Sequence, residues 1–105
     1  MDLAFKAISD ARRREILRLV WFQEMPSTAI ANHFDDVSRS AISQHLGVLR
    51  KAGLVRERRE GTRHLYCANH REVQSLRDFL DGFWSNSLES LRNLVEQPAP
   101  TTRGK

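Results

Sequence analysis

The stretch from Ser38 to Tyr66, SRSAISQHLGVLRKAGLVRERREGTRHLY, constrains the fold more than any other part of this chain. Ile42, Leu46 and Leu49 recur with the period of a helix. Ser38 is a good cap for its start, and the helix is predicted to run to about Ala52. Gly53 stands where a left-handed residue closes a helix. Leu54 to Arg59 and Arg63 to Cys67 then read as strands. Glu60, Gly61 and Thr62 form the bend between them, with Gly61 supplying easy access to positive φ. A short amphipathic helix is thus followed at once by a hairpin with a basic tip.

The flanking segments are helical. The first helix is predicted to start after Asp2, a capping residue, and to carry Leu3, Phe5 and Ile8. Ser9 and Asp10 offer a second cap. From Ala11 onward Ile16, Leu17, Leu19, Val20 and Phe22 make the apolar face of a second helix. Pro26 and Ser27 punctuate the chain, and Thr28 to Phe34 suits one short helix with Ile30 and Phe34 at i, i+4. Asp35 to Val37 is a tight link. Asn69 with Glu72 three residues later is a capping box that opens a long helix reaching about Glu96. The predicted fold is mainly α with a small β-hairpin: four helices, two strands and a fifth helix, as one domain over residues 1–96. Residues 97–105, QPAPTTRGK, read as a disordered tail.

Charge is concentrated on the hairpin. From Arg50 to His64 six cations (Arg50, Lys51, Arg56, Arg58, Arg59, Arg63) face two carboxylates, Glu57 and Glu60. That excess equals the net charge of the whole chain, +4. This favours a polyanionic partner or an acidic surface, and the positive field belongs to this region. Cys67 is the only cysteine, so no intramolecular disulfide and no cysteine zinc cluster is expected. No apolar run approaches the roughly 20 residues of a membrane helix, and the N-terminus lacks a signal-peptide pattern. The expected location is cytoplasmic, with no membrane partner.

The two faces of the central helix differ in kind. At about 100° per residue, Ser43, Gln44, Gly47 and Lys51 fall within about 60° of Ser40, and Ile42, Leu46 and Leu49 fall opposite. The apolar face docks on the domain. The other face is small, polar and ends in a cation. Small residues let a backbone approach a DNA groove closely, and Ser and Gln can bond to base edges. Ser38 and Ser40 lie near the positive end of the helix dipole, a natural phosphate site. Arg39 reaches a base or a phosphate, and His45 lies at the border of the polar face. A short helix, a tight turn and a longer helix in that order match helix–turn–helix geometry. Arg59, Thr62 and Arg63 at the hairpin tip suit a phosphate strand or the minor groove, whereas Arg56 and Arg58 suit a solvated strand edge. Ser38, Arg39, Ser40, Ser43, Gln44, His45, Lys51, Arg59, Thr62 and Arg63 are the candidate DNA-binding residues. No Ser-His-acid set, carboxylate pair, phosphate-cradling glycine loop or metal cluster points to catalysis or to a cofactor.

With these residues in place, the sequence resembles the ArsR family of bacterial winged helix–turn–helix regulators. FKAISDARRREILRLV is similar to the family opening, commonly F-K-A-L-S-D-P-T-R-R-x-I-L, and SRSAISQHLGVLRKAGLVRERREGTRHLY is similar to its recognition helix and wing. The likeness spans about residues 3–84. One departure is Ala11–Arg12, where the family usually has Pro–Thr. Others concern sensing. Metal-sensing members carry a Cys-x-Cys pair on the short helix before the turn, where this chain has STAIANHF. Others place Asp-x-His and a later His-containing set on the last helix, where this chain has Asp78 followed by Leu80, then Leu91 and Leu94. Neither metal site carries over. The resemblance therefore points to a repressor of the ligand-independent or autoregulatory type, with no metal site.

The last predicted helix carries Val73, Leu76, Leu80, Phe83, Trp84, Leu88, Leu91, Leu94 and Val95. This stripe exceeds what one small domain needs. The resemblance implies dimerisation through the first and last helices, with Leu3, Phe5, Phe79, Phe83 and Trp84 as interface candidates. The alternative buries Phe83 and Trp84 in the chain's own core. The expected activity is homodimeric repression of an inverted-repeat operator on double-stranded DNA. A second reading is a protein-interaction module, such as an antirepressor, acting through the long helix.

Overall fold

Asp10 shows how locally the fold is decided. Its carboxylate accepts hydrogen bonds from the backbone N–H groups of Arg12 at 2.8 Å and Arg13 at 3.2 Å, which separates α1 (Asp2–Ile8) from α2 (Ala11–Leu19). The computed structural model describes residues 1–96, so the predicted tail lies outside the described residues. The remaining elements are β1 (Met25–Pro26), α3 (Ser27–Asn32), α4 (Arg39–Lys51), β2 (Val55–Glu60), β3 (Arg63–Ala68) and α5 (His70–Glu96).

The architecture is mostly helical with a small antiparallel sheet in the order β1-β3-β2. The hairpin was expected, but β1 adds a third strand. It pairs Met25 with Tyr66 and Pro26 with Leu65. A two-residue strand has no period to read, and Pro26 is tolerated because β1 is an edge. Met1, not Asp2, occupies the cap position of α1, with the Phe5 N–H bonded to the Met1 carbonyl at 3.0 Å. The face expected of α2 also needs correction. The helix ends at Leu19, Val20 leaves helical geometry at φ −98° and ψ 12°, and Phe22 is 92% exposed. Once the chain turns toward β1, the helical register that placed Phe22 inward no longer applies.

α4 begins and ends on the residues expected. Ser38 Oγ accepts from the Ala41 N–H at 3.1 Å. At the other end Leu54 N–H bonds to Leu49 O and Gly53 N–H to Arg50 O, both at 3.0 Å, with Gly53 at φ +79°. That is a Schellman stop. Gly61 has φ +62° in the two-residue turn between paired Glu60 and Arg63. Asn69 Oδ1 accepts from the Glu72 N–H at 3.4 Å and starts α5.

The core sits between α4 and everything around it. Ile16, Val20, Ile30, Ile42, Leu46, Leu49 and Leu54 are fully buried. α4 packs on α1, α2, α3 and β2, so its inner face fixes where its outer face points. α5 gives the core only Leu76 as a fully buried side chain, with Val73 and Leu80 packed beside it. Among the described residues, no helix is long and apolar enough to cross a membrane.

Candidate nucleic-acid interface

The outer face of α4 is built as the helical periodicity dictates. Arg39, Ser40, Ser43, Gln44 and Lys51 are exposed, opposite the buried Ile42, Leu46 and Leu49. Gly47 lies within this face, and a Cβ placed there would meet nothing within 4 Å. Glycine in a helix interior is unfavourable by about 1 kcal/mol relative to alanine, and no packing among the described residues requires it. Close approach by something outside the chain is the physical use left for it. Ser38 is exposed and serves as the cap, which leaves its hydroxyl hydrogen available to an anion.

His45 behaves differently from the rest of its set. It is half-buried and faces α2, with Nδ1 3.2 Å from Arg13 Nη1. Two residues outside the expected set, Ser27 and Thr28, lie beside the outer face of α4. Ser27 and Thr28 line a shallow cleft of about 180 Å³ with Ala31, Arg39, Ile42 and Ser43. Their only sequence signal is a pair of hydroxyls at the start of the helix before the turn.

The hairpin sorts its cations into held and available groups. Arg58 makes a two-point contact with Glu24, Nε to Oε2 and Nη2 to Oε1, both at 2.7 Å, and also reaches Glu60 at 3.3 Å. Arg50 lies 3.7 Å from Glu57. Arg63 has only a loose approach to Glu60 at 3.9 Å. Arg59 is exposed and has no carboxylate within 4.0 Å among the described residues. Thr62 is exposed at the tip. Arg59, Thr62 and Arg63 all lie at the wing tip beside Gly61, but the register puts Arg59 on the hairpin face of His64 and Arg63 on the opposite face with Glu60, while Arg58 is held by Glu24.

Beneath the hairpin, Glu57 ties three elements together. It accepts from His64 Nδ1 at 2.6 Å and from the Tyr66 hydroxyl at 3.0 Å, with Arg50 of α4 alongside. The hydrogen bond from His64, helped by that from Tyr66, holds the Glu57 carboxyl below its ordinary value of 4.5 against the effect of burial. Burial, and the bond to Glu57, push the Tyr66 phenol up to about 12. The bond from Arg58 likewise holds Glu24 below 4.5. A carboxyl depressed by folding adds stability that is present above its unfolded pKa and lost as pH falls through its folded one. Thermal melts should therefore show stability declining from about pH 4.5 downward. Glu57→Gln should flatten that decline, and an unchanged profile would remove Glu57 from it.

The candidate interface helices carry large apolar side chains outward. Leu3 and Trp84 are 60% and 63% exposed, and Phe79 and Phe83 are exposed too. Phe5 is half-buried, its ring centroid 5.4 Å from that of Phe79. Within a single chain, Phe83 and Trp84 are not core residues.

Residues 10–57 match the family model described as bacterial regulatory protein, arsR family. The HTH-type transcriptional regulator Rv2034 of Mycobacterium tuberculosis is 35% identical over 101 residues, covering 96% of this chain and 94% of the relative. The chain belongs to the arsR family. The transcriptional repressor SdpR of Bacillus subtilis is 39% identical over 70% of this chain and 81% of its own. A crystal structure of a possible transcriptional regulator for arsenical resistance superposes with a TM-score of 0.72 at 34% identity, covering 89% of this chain and 94% of that one. As an arsR-family member the chain is a DNA-binding transcriptional regulator with a winged helix–turn–helix fold, in a family that is not an enzyme class. α4 and β2–β3 are the long helix and the hairpin of that fold. Among the described residues, no group of three or more His, Cys, Asp or Glu side chains could hold a metal ion.

Proposed function

We propose that this arsR-family protein is a homodimeric repressor that occupies an inverted-repeat operator and acts by binding alone. One observation carries this reading: the small, polar, outward face of α4 contains an unconstrained Gly47 and lies in the same fold as a wing tip whose Arg59 and Arg63 are not firmly paired. Ser40, Ser43 and Gln44 read bases, with Arg39 and Lys51 close by. Ser38 and the wing tip, Arg59, Thr62 and Arg63, contact the backbone. Two α4 helices related by a two-fold axis would meet successive major grooves about 34 Å apart. The name of the relative SdpR supports repression as the sign of control.

Fluorescence anisotropy against DNA selected from a random pool tests this reading. Equal affinity for selected and scrambled duplex at moderate salt would remove it. Gly47→Ala gives a sharper check, because two readouts should move in opposite directions. The fold should gain up to about 1 kcal/mol in urea melts, while operator affinity should fall through the added methyl group. A variant that is both more stable and equally tight would take Gly47 off the interface. Arg59→Ala with Arg63→Ala should weaken operator and scrambled DNA alike and reduce the salt slope by about 2.

The exposed apolar stripe of α5 favours one other reading, capture of a different regulator. In that case the Arg59→Ala and Arg63→Ala chain would lose DNA but keep its partner.

A further inference from the structure

Besides the apolar packing of its inner face, α4 is contacted from behind by one guanidinium, that of Arg13. α1 lies against α4, with Ala4 and Ala7 buried. At the end of α1 the chain turns into α2, where the Asp10 cap fixes the backbone of Arg13. Arg13 then makes three contacts at once. Nε donates to the Ala7 carbonyl at 2.6 Å, Nη2 donates to the Lys6 carbonyl at 2.9 Å, and Nη1 lies 3.2 Å from His45 Nδ1. The first serves a carbonyl at the C-terminal end of α1, and the second adds to the Ser9 N–H and hydroxyl bonds that the Lys6 carbonyl already accepts. The third reaches α4. Arginine has donors only, so this contact is a hydrogen bond when Nδ1 of His45 accepts, in the tautomer with its proton on Nε2. His45 also lies about 140° around the helix from Ser40, on the side that packs.

We propose that Arg13 and His45 are positioning residues for DNA recognition. They lock the rotation and height of α4 against the end of α1, and His45 serves as an acceptor for Arg13 rather than as a contact to DNA. This rests on the reading of α4 as the helix that enters the groove. The Arg13 fork matters because its planar donors bridge two elements, which a lysine's point charge cannot do.

Two substitutions of His45 separate the roles. His45→Asn places an amide oxygen near the position of Nδ1 and keeps the acceptor. His45→Gln places an amide N–H near the position of Nε2 and keeps an outward donor. The positioning role predicts that His45→Asn binds operator within about threefold of wild type. His45→Gln and Arg13→Lys should each lose about tenfold or more. Their loss should fall on operator rather than scrambled duplex, with the salt slope unchanged, because no phosphate contact is removed. The reverse order, with His45→Gln tight and His45→Asn weak, would overturn the proposal. So would wild-type binding by all three. If Arg13→Lys melts early, the His45 pair decides the question alone. Wild-type protein that does not distinguish operator from scrambled DNA would instead sink the reading of α4, before any variant is compared.

Discussion

Phe83→Asp combined with Trp84→Asp is expected to leave the chain folded, make it monomeric and lower operator affinity by about a hundredfold to ten-thousandfold. The fold should survive because both side chains are more than half exposed in the single chain, and exposed positions contribute little to stability. The proposed dimer should not survive, because two carboxylates per subunit would be buried without partners. The loss in affinity follows from linkage. Two recognition helices on one rigid dimer bind as a unit, and the second contact gains an effective concentration that free monomers lack. Sedimentation equilibrium reads the mass, and anisotropy on full and half operators reads the affinity. Persisting dimers would place the interface elsewhere. Monomers that still bind the full site tightly would show that pairing is not what gives the operator its affinity.

Leu49→Ala should have the largest effect on the fold itself. Leu49 is fully buried on the inner face of α4, where truncation of leucine costs about 2–5 kcal/mol. A domain of this kind has only about 5–15 kcal/mol in total. The variant should therefore unfold at much lower urea, and its DNA binding should disappear with the fold. Gln44→Ala is the paired control. It lies on the opposite, exposed face of the same helix, so its melt should shift by no more than about 0.5 kcal/mol while its preference for the operator relaxes by about 1–3 kcal/mol. A Leu49→Ala melt within 1 kcal/mol of wild type would mean that α4 is not the packing centre described above.

What could be read from the sequence was local. Ser38, Gly53 and Gly61 announce the ends of α4 and the hairpin turn, because caps and positive φ depend on near neighbours. The two faces of α4 follow from helical period alone. What escaped was set by contacts far apart in the chain. β1 is two residues long and exists only because β3 passes beside it. Phe22 turned outward because α2 stopped at Leu19. The Glu24–Arg58 pair joins residues 34 apart, and the Arg13–His45 contact joins residues 32 apart. Neither has a spacing that a sequence pattern could show. By angle His45 lies at the border of the polar face of α4, and only the position of α2 reveals what it bonds to.

The carboxylates on and beside the hairpin change how the wing would behave on random DNA. Glu24 sits on Arg58, Glu57 beside Arg50 and Glu60 near Arg63. These acids act as built-in counterions. A phosphate that recruits Arg58 must first displace Glu24, so any grip beyond what Arg59 and Arg63 supply is gained by exchange. Only contacts good enough to win that exchange add to it. On an arbitrary duplex the protein should let go quickly and keep searching, and long residence is reserved for sites where α4 also finds its bases.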